Sequence, residues 1–361
     1  MPQAALTGPG VCKGTYASEF GGVAISSFES LSPTLDPSHW ALHAAPMSER
    51  NYAVDNFVVA VANLTWPDRF NTTGKVDFQG KLFFAQLAQA LWVKSDIESR
   101  RSQNSWGCIT WQFNEIWPTG GWGSIEYGTI GFTPGQVEGG RWKALQYFMR
   151  RYIYRNAYIA ASNAARIIVR NDDAFAPLNG LASLSFLSLV NGALLSSSNF
   201  SVNLPRGGGA TVWSCADPSV DYLTQPCPSW SVILQKLGCA TDGSDCVAML
   251  TLRDSTSGAL IAENFELLQP PSALALPNTV VTATVNPSIN PDGSVDITLS
   301  TSNTAIFVTL TTLAQGRFSD NAIFLSPGNT EISFIPWSTL DLALLTSSLR
   351  VEHAASYPRN V

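Results

Sequence analysis

Charge is scarce in this sequence. Only 13% of its 361 residues are Asp, Glu, Lys or Arg, about half the share of an average domain, and the formal net charge is −6. Nucleic-acid binding needs a clustered basic face, and that class is excluded. The two basic pairs, Arg100–Arg101 and Arg150–Arg151, fall inside amphipathic patterns. They read as solvated helix faces, with structural ion pairing as the alternative. Histidine is scarcer still: His39, His43 and His353 are the only three, and none has ligand spacing with Cys or a carboxylate cluster. The sequence also lacks a Gly-x-Ser-x-Gly elbow, a phosphate loop and a dinucleotide fingerprint. No metal or organic cofactor is expected.

Long hydrophobic runs are missing too. A membrane-spanning helix needs about 18 or more apolar residues, and the longest apolar-rich stretch, around Ala182–Leu195, is broken by Ser and Asn. Residues Met1–Ala5 offer neither a charged start nor an apolar stretch, so they do not form a leader. The cysteines point elsewhere. Four of the six, Cys215, Cys227, Cys239 and Cys246, crowd into one stretch whose spacing does not match the paired C-x2-C ligands of a zinc ribbon. Two disulfides are the preferred reading, with free buried thiols next. Three N-x-S/T sequons, at Asn63, Asn71 and Asn199, fit a secretory route. Secretory chemistry without a leader places the expected natural N-terminus upstream.

What the chain has in quantity is aromatic: 11 Trp and 18 Phe. These supply core area, and Trp also makes flat apolar platforms on which sugar rings stack. The length fits two or three domains. Lys75–Arg101 reads as a long helix, with Phe78, Leu82, Leu87 and Leu91 near one face and charges gathered at its end. Gly107–Phe113 reads as a buried strand, and Arg141–Tyr154, after the Gly139–Gly140 break, as a second helix. That alternation suits an α/β layer fold or barrel. From about Asn156 helical periodicity fades. Thr279–Asn286, Ser294–Ser300 and Ala305–Leu313 alternate as strands, and Asn290-Pro291-Asp292-Gly293 reads as a turn. Two small β-sandwiches split near Pro270–Pro271 account for this half.

Chemistry concentrates in two places. In Tyr16-Ala17-Ser18-Glu19-Phe20-Gly21-Gly22 an acidic residue ends a short β-like run before a Gly pair. Barrel enzymes place catalytic groups at such strand ends, and a Glu there can attack an anomeric carbon; alone the signal is weak, and a surface Glu before a turn is the plainer reading. The second place runs Trp111-Gln112-Phe113-Asn114-Glu115-Ile116-Trp117-Pro118, then Ser124-Ile125-Glu126-Tyr127-Gly128, then Gly140-Arg141-Trp142-Lys143-Ala144-Leu145-Gln146-Tyr147. In this order the motifs resemble the end of the catalytic barrel in β-mannosidases of glycoside hydrolase family 2. Gly316-Arg317-Phe318-Ser319-Asp320-Asn321 resembles a signature of that family's last β-sandwich.

The resemblance implies a multidomain α/β plus all-β architecture. The C-terminal part of a (β/α)8 barrel would occupy residues 1–157, a β-sandwich with the Cys cluster residues 158–270, and an immunoglobulin-like β-sandwich residues 271–361. It implies a retaining exo-β-mannosidase acting on mannose-terminated oligosaccharides or N-glycan fragments, in the lysosome or vacuole or secreted. Glu19 falls on the nucleophile at the seventh barrel strand, and Trp111 on the Trp that floors the sugar pocket. Asn114 and Trp117 fall near the subsite rim. Trp117, Trp122 and Trp40 divide between lining the cleft and packing loops. Glu115 follows an Asn, as the family's acid/base does, but in the wrong place, so it reads as a loop or supporting carboxylate. The acid/base is expected in the missing N-terminal part of the enzyme, leaving this piece inactive alone. The other readings are a different family 2 exo-glycosidase, a β-glucosaminidase or β-galactosidase, and a non-catalytic carbohydrate-binding remnant.

Overall fold

The computed structural model describes residues 16–42, 44–50, 74–103, 105–127, 140–162, 166–214 and 234–357. Its elements begin with β1 (Tyr16–Phe20), β2 (Ala24–Ile25), α1 (Phe28–Leu31), α2 (Ala45–Arg50) and α3 (Lys75–Ser102). Then come β3 (Gly107–Thr110), β4 (Gly120–Gly121) and α4 (Ala144–Phe148), which continues as a π-helical turn over Met149–Ile153. The rest is mostly strand. Two compact units result, and dividing points fall inside β1, α3, β3 and α4.

One unit gathers residues 94–108 and 148–276. Its strands are β5 (Ala157–Ser162), β6 (Arg166–Asn171), β7 (Leu178–Ser188), β8 (Leu194–Leu204), β9 (Gly209–Ser214), β10 (Cys246–Asp254) and β11 (Leu260–Leu267). They form a three-stranded sheet β5-β6-β9 and a four-stranded sheet β11-β10-β7-β8. Alternate residues such as Ile159, Ile167, Val169, Leu184, Leu250 and Leu252 meet in one core, as two sheets facing each other require. Cys239 and Cys246 form a disulfide. Cys215 and Cys227, expected to take part in a second disulfide, lie outside the described residues, as do the sequons at Asn63 and Asn71.

The basic pairs in this unit correct the sequence reading. Arg100 is 7% exposed and pairs with Asp96 at 3.0 Å. Arg101 reaches Asp172 at 2.5 Å and Arg151 reaches Glu263 at 2.7 Å. A partner one helical turn away for Arg100, and partners far along the chain for Arg101 and Arg151, make these three residues ion pairs, while Arg150 stays exposed as expected.

The second unit holds residues 18–93, 109–147 and 277–361. Strands β12 (Val281–Ile289), β13 (Val295–Thr301), β14 (Ala305–Thr311), β15 (Gly316–Phe318), β16 (Ile323–Leu325), β17 (Gly328–Pro336) and β18 (Arg350–Glu352), with α5 (Leu342–Ser348), occupy its last part. Sheets β12-β13-β17-β15 and β16-β14-β18 share a core of Val295, Ile297, Leu299, Val308, Phe318 and Phe334. The turn at 290–293 closes as expected. The Asn290 N–H donates to Ser294 at 2.8 Å, the Gly293 N–H donates to Asn290, and Gly293 adopts φ 84°, where a side chain would be strained.

Helix α3 matches its expected span to within a residue, but it is not amphipathic. Phe78, Leu82, Leu87 and Leu91 are buried, and so are Lys81, Gln86, Gln89, Lys94 and Glu98. Most of their polar atoms find partners; among the described residues Gln89 Oε1 does not. Lys81 pairs with Asp77 at 2.6 Å and Lys94 with Glu98 at 2.7 Å, and Gln89 donates to the Gly22 carbonyl at 2.6 Å, as buried polar groups must. Two further expectations are corrected. Strand β3 ends at Thr110 and is half-buried, with Ile109 52% exposed, because among the described strands it pairs only with β1. The second helix starts at Ala144 rather than Arg141. Residues 141–143 are held as bridging chain instead: the Arg141 carbonyl accepts from Glu126 N–H at 2.8 Å and Lys143 N–H donates to Ser124 at 2.9 Å.

Candidate active site

Strand β1 delivers Glu19 to its last positions, exposed to solvent. The neighbouring Phe20 carbonyl accepts a hydrogen bond from the Trp111 N–H at 2.6 Å, which fixes the end of β1 beside the residue that follows β3. The Trp111–Gln112 peptide is cis. Gly21 is required by this junction: a Cβ there would lie 1.9 Å from the Trp111 carbonyl oxygen, far inside any permitted contact. The adjacent Gly22 is less constrained, since its Cβ would meet Trp92 at 3.4 Å.

Trp111 is 48% exposed, and beyond it Phe113, Ile116 and Trp117 are exposed as well. Asn114 is exposed, and its side-chain amide donates to the Glu115 carbonyl at 2.9 Å. The structure therefore joins Glu19 and Trp111 through adjacent main chain and carries Asn114 and Trp117 on the loop beyond. Of the ambiguous tryptophans, Trp40 packs edge-on against Phe28 at 4.8 Å, and Trp122 packs against Val23 and Ala85.

Glu115 is a different kind of carboxylate. It is buried, and its Oε1 lies 2.5 Å from Lys143 Nζ. Lys143 also donates to the Ala24 carbonyl at 3.0 Å. Gly121 and Gly123 wrap this pair: a Cβ at Gly121 would lie 2.4 Å from Glu115 Oε2, and one at Gly123 2.5 Å from the Glu115 nitrogen. A carboxylate sealed this way holds the loop after Trp111 and is not placed to protonate a leaving group. Glu126, in the same segment, accepts from the Ser27 N–H at 2.8 Å, the Ser27 hydroxyl at 2.7 Å and Gln86 at 2.9 Å. Sequence reasoning assigned no partner to either acid. Lys143, a cation set between Trp142 and an apolar helix start, was the available signal for the first.

The later motif is structural as well. The Asn321 side chain accepts from the Leu310 N–H at 2.7 Å and donates to the Leu310 carbonyl at 2.8 Å. The Phe318 N–H donates to the Tyr147 hydroxyl at 3.1 Å, whose pKa burial raises well above the ordinary phenol value. Cys239, Asp245 and Cys246 are the one group of potential metal ligands among the described residues, and its two sulfurs are already joined to each other.

Comparison with known proteins adds a lineage to this geometry. Residues 276–357 match the Ig-fold domain model of mannosidases. The chain is similar to the β-mannosidase of Capra hircus, 25% identical over 95% of this chain and 37% of the relative. It is similar also to β-mannosidase A of Aspergillus niger, 23% identical over 89% of this chain and 35% of the relative. Its fold resembles the β-D-mannosidase of Dictyoglomus thermophilum, with TM-score 0.65, 17% identity and coverage of 94% of this chain and 37% of that one. It also resembles the exo-chitosanase of Amycolatopsis orientalis, with TM-score 0.59, 19% identity and coverage of 94% and 42%. The chain thus spans little more than a third of the length of the β-mannosidases it matches.

Proposed function

We propose that this chain, which belongs with the β-mannosidases of glycoside hydrolase family 2 and matches a C-terminal portion of them, carries the nucleophile half of a retaining exo-β-mannosidase active site. The observation that carries this reading is the junction at the end of β1. Glu19 stands exposed there, beside Trp111, in a position fixed by the Phe20–Trp111 hydrogen bond and the close approach at Gly21.

In this reading β1 and β3 are the seventh and eighth strands of a (β/α)8 barrel within residues 1–157, followed by sandwiches over 158–270 and 271–361. A Glu19 oxygen attacks the anomeric carbon of a terminal, non-reducing β-D-mannose. The bond from that carbon to the leaving oxygen breaks, and the leaving oxygen takes a proton from an acid outside this chain. Water, giving a proton back to that outside group, then attacks the same carbon from the face the leaving oxygen left and frees Glu19, with net retention. Trp111 offers a flat apolar surface to the sugar ring, and Asn114 and Trp117 stand at the rim. The sealed Glu115–Lys143 pair supports an acid supplied from elsewhere. Without it the chain alone does not turn over, since general-acid assistance is worth roughly 10²–10⁴-fold. The substrates are mannose-terminated oligosaccharides, met in a lysosome or vacuole or outside the cell.

A longer form of the protein that hydrolyses aryl β-mannosides is the material for the test. After exposure to 2-deoxy-2-fluoro-β-D-mannosyl fluoride, peptide mass spectrometry is expected to find the sugar ester on Glu19. An ester on another carboxylate overturns the assignment. The resemblance to an exo-chitosanase favours one second reading, a β-glucosaminidase; faster release from aryl β-glucosaminides than from aryl β-mannosides would select it.

A further inference from the structure

From Ala174 to Pro205 the sequence carries no charged residue, and that stretch forms the hairpin of β7 and β8. Strand β8 spans 11 residues and ends its sheet; among the described residues no strand pairs with its outer side. Natural edge strands are blunted by charge, proline, bulges or shortness, because an open row of N–H and C=O groups invites another strand. This edge has no charge and no proline, and its register is regular except for one shift at its start. Among the described residues, whatever protects it must lie off the strand's own backbone.

Its solvent face shows what. Asn199 faces Ser183 across the hairpin, and the Ser183 hydroxyl donates to Asn199 Oδ1 at 2.6 Å. That bond uses the amide oxygen and leaves the nitrogen, the atom that carries an N-linked glycan. Asn199 and Ser201 are both exposed on this face, while Phe200 between them packs against the core. The sequon Asn199-Phe200-Ser201 is therefore displayed outward with its bulky middle residue turned away.

We propose that Asn199 carries an N-glycan whose bulk and hydration shield the open edge of β8. In the secretory pathway an oligosaccharide leaves a lipid pyrophosphate carrier. The bond from sugar C1 to the pyrophosphate oxygen breaks, the bond from C1 to Asn199 Nδ2 forms, and the amide proton leaves with the carrier. The glycan then does what Lys does at other edges.

The test uses the 361-residue chain secreted from a eukaryotic host. Enzymatic deglycosylation in heavy-oxygen water is expected to leave labelled aspartate at position 199, and N199Q is expected to lose one glycan-sized step on a gel. An unmodified peptide across Asn199 overturns the site. Light scattering then tests the role. N199Q is expected to form larger assemblies than the glycosylated chain, and N199K, which charges the same edge, to restore the original mass. N199Q that scatters as the glycosylated chain does overturns the shielding. N199K that assembles as N199Q does overturns it too.

Discussion

Lys143 Nζ lies 2.5 Å from Glu115 Oε1, with the two side chains 0% and 2% exposed. A buried ion pair of this kind adds little over an apolar pair, but breaking it strands a charge. Lys143→Ala is therefore expected to cost about 3–5 kcal/mol, read as a lower denaturation midpoint. The double variant Glu115→Gln with Lys143→Met is expected to cost less than Lys143→Ala alone. Equal losses in the two would show that the pair does not hold the loop after Trp111.

Gly21 and Gly22 are adjacent in sequence and opposite in tolerance. A methyl at Gly21 meets the Trp111 carbonyl at 1.9 Å, backbone that cannot swing aside, whereas one at Gly22 meets the Trp92 ring at ordinary distance. Gly21→Ala is expected to destabilise by about 1–3 kcal/mol or more and to shift tryptophan fluorescence as Trp111 is displaced. Gly22→Ala is expected to stay within about 1 kcal/mol of the parent. Thermal melts of both proteins, side by side, decide it.

The two glycines show where sequence reading stops. A Gly pair after an acid was visible, and so were helix 75–102, whose apolar spacing runs on without a break, and the turn 290–293, whose Asn, Pro, Asp and Gly specify it locally. Glu19 and Trp111 stand out through motif order. What sequence did not reveal is long-range: that Gly21 abuts Trp111, that Lys143 answers Glu115, and that Arg101 and Arg151 answer Asp172 and Glu263. Arg141 was read as helical for the same reason, because the Thr312 and Leu313 carbonyls that hold its guanidinium, each at 2.8 Å, lie far along the chain.

Glu352 predicts a pH dependence. Its carboxylate is buried against Arg350 and bonded to Tyr357, while Arg350 also grips Glu29 at 2.9 and 3.1 Å. Burial pushes the Glu352 carboxyl from 4.5 up to about 7. The folded chain thus binds a proton that the unfolded chain releases above 4.5. This contribution, about 3 kcal/mol, is full below pH 4.5 and is lost as pH rises through 7. His353 works the other way, since burial lowers its pKa from 6.5 and stability returns as pH rises toward that value. Subtracting the melting curve of Glu352→Gln from that of the parent isolates the first effect. A difference independent of pH between 4.5 and 7 would refute it.

The nucleophile assignment predicts a stereochemical outcome in any longer form of the protein that turns over mannosides. Glu19→Ala is expected to lose about 10⁴-fold or more in kcat. Azide added to that variant should fill the emptied space and give the α-mannosyl azide, whose anomeric configuration is read by nuclear magnetic resonance. Azide that yields the β product would mean that Glu19 is not the attacking group.

The position of Glu19 depends on main chain rather than on side chains. An amide, a carbonyl and a glycine with no room to grow set where β1 ends against Trp111. Substitution at the flanking positions leaves such a joint untouched, because every residue but proline brings the same amide and carbonyl. A lineage can therefore exchange most of the residues around this site, and alter what they recognise, while the carboxylate keeps its aim.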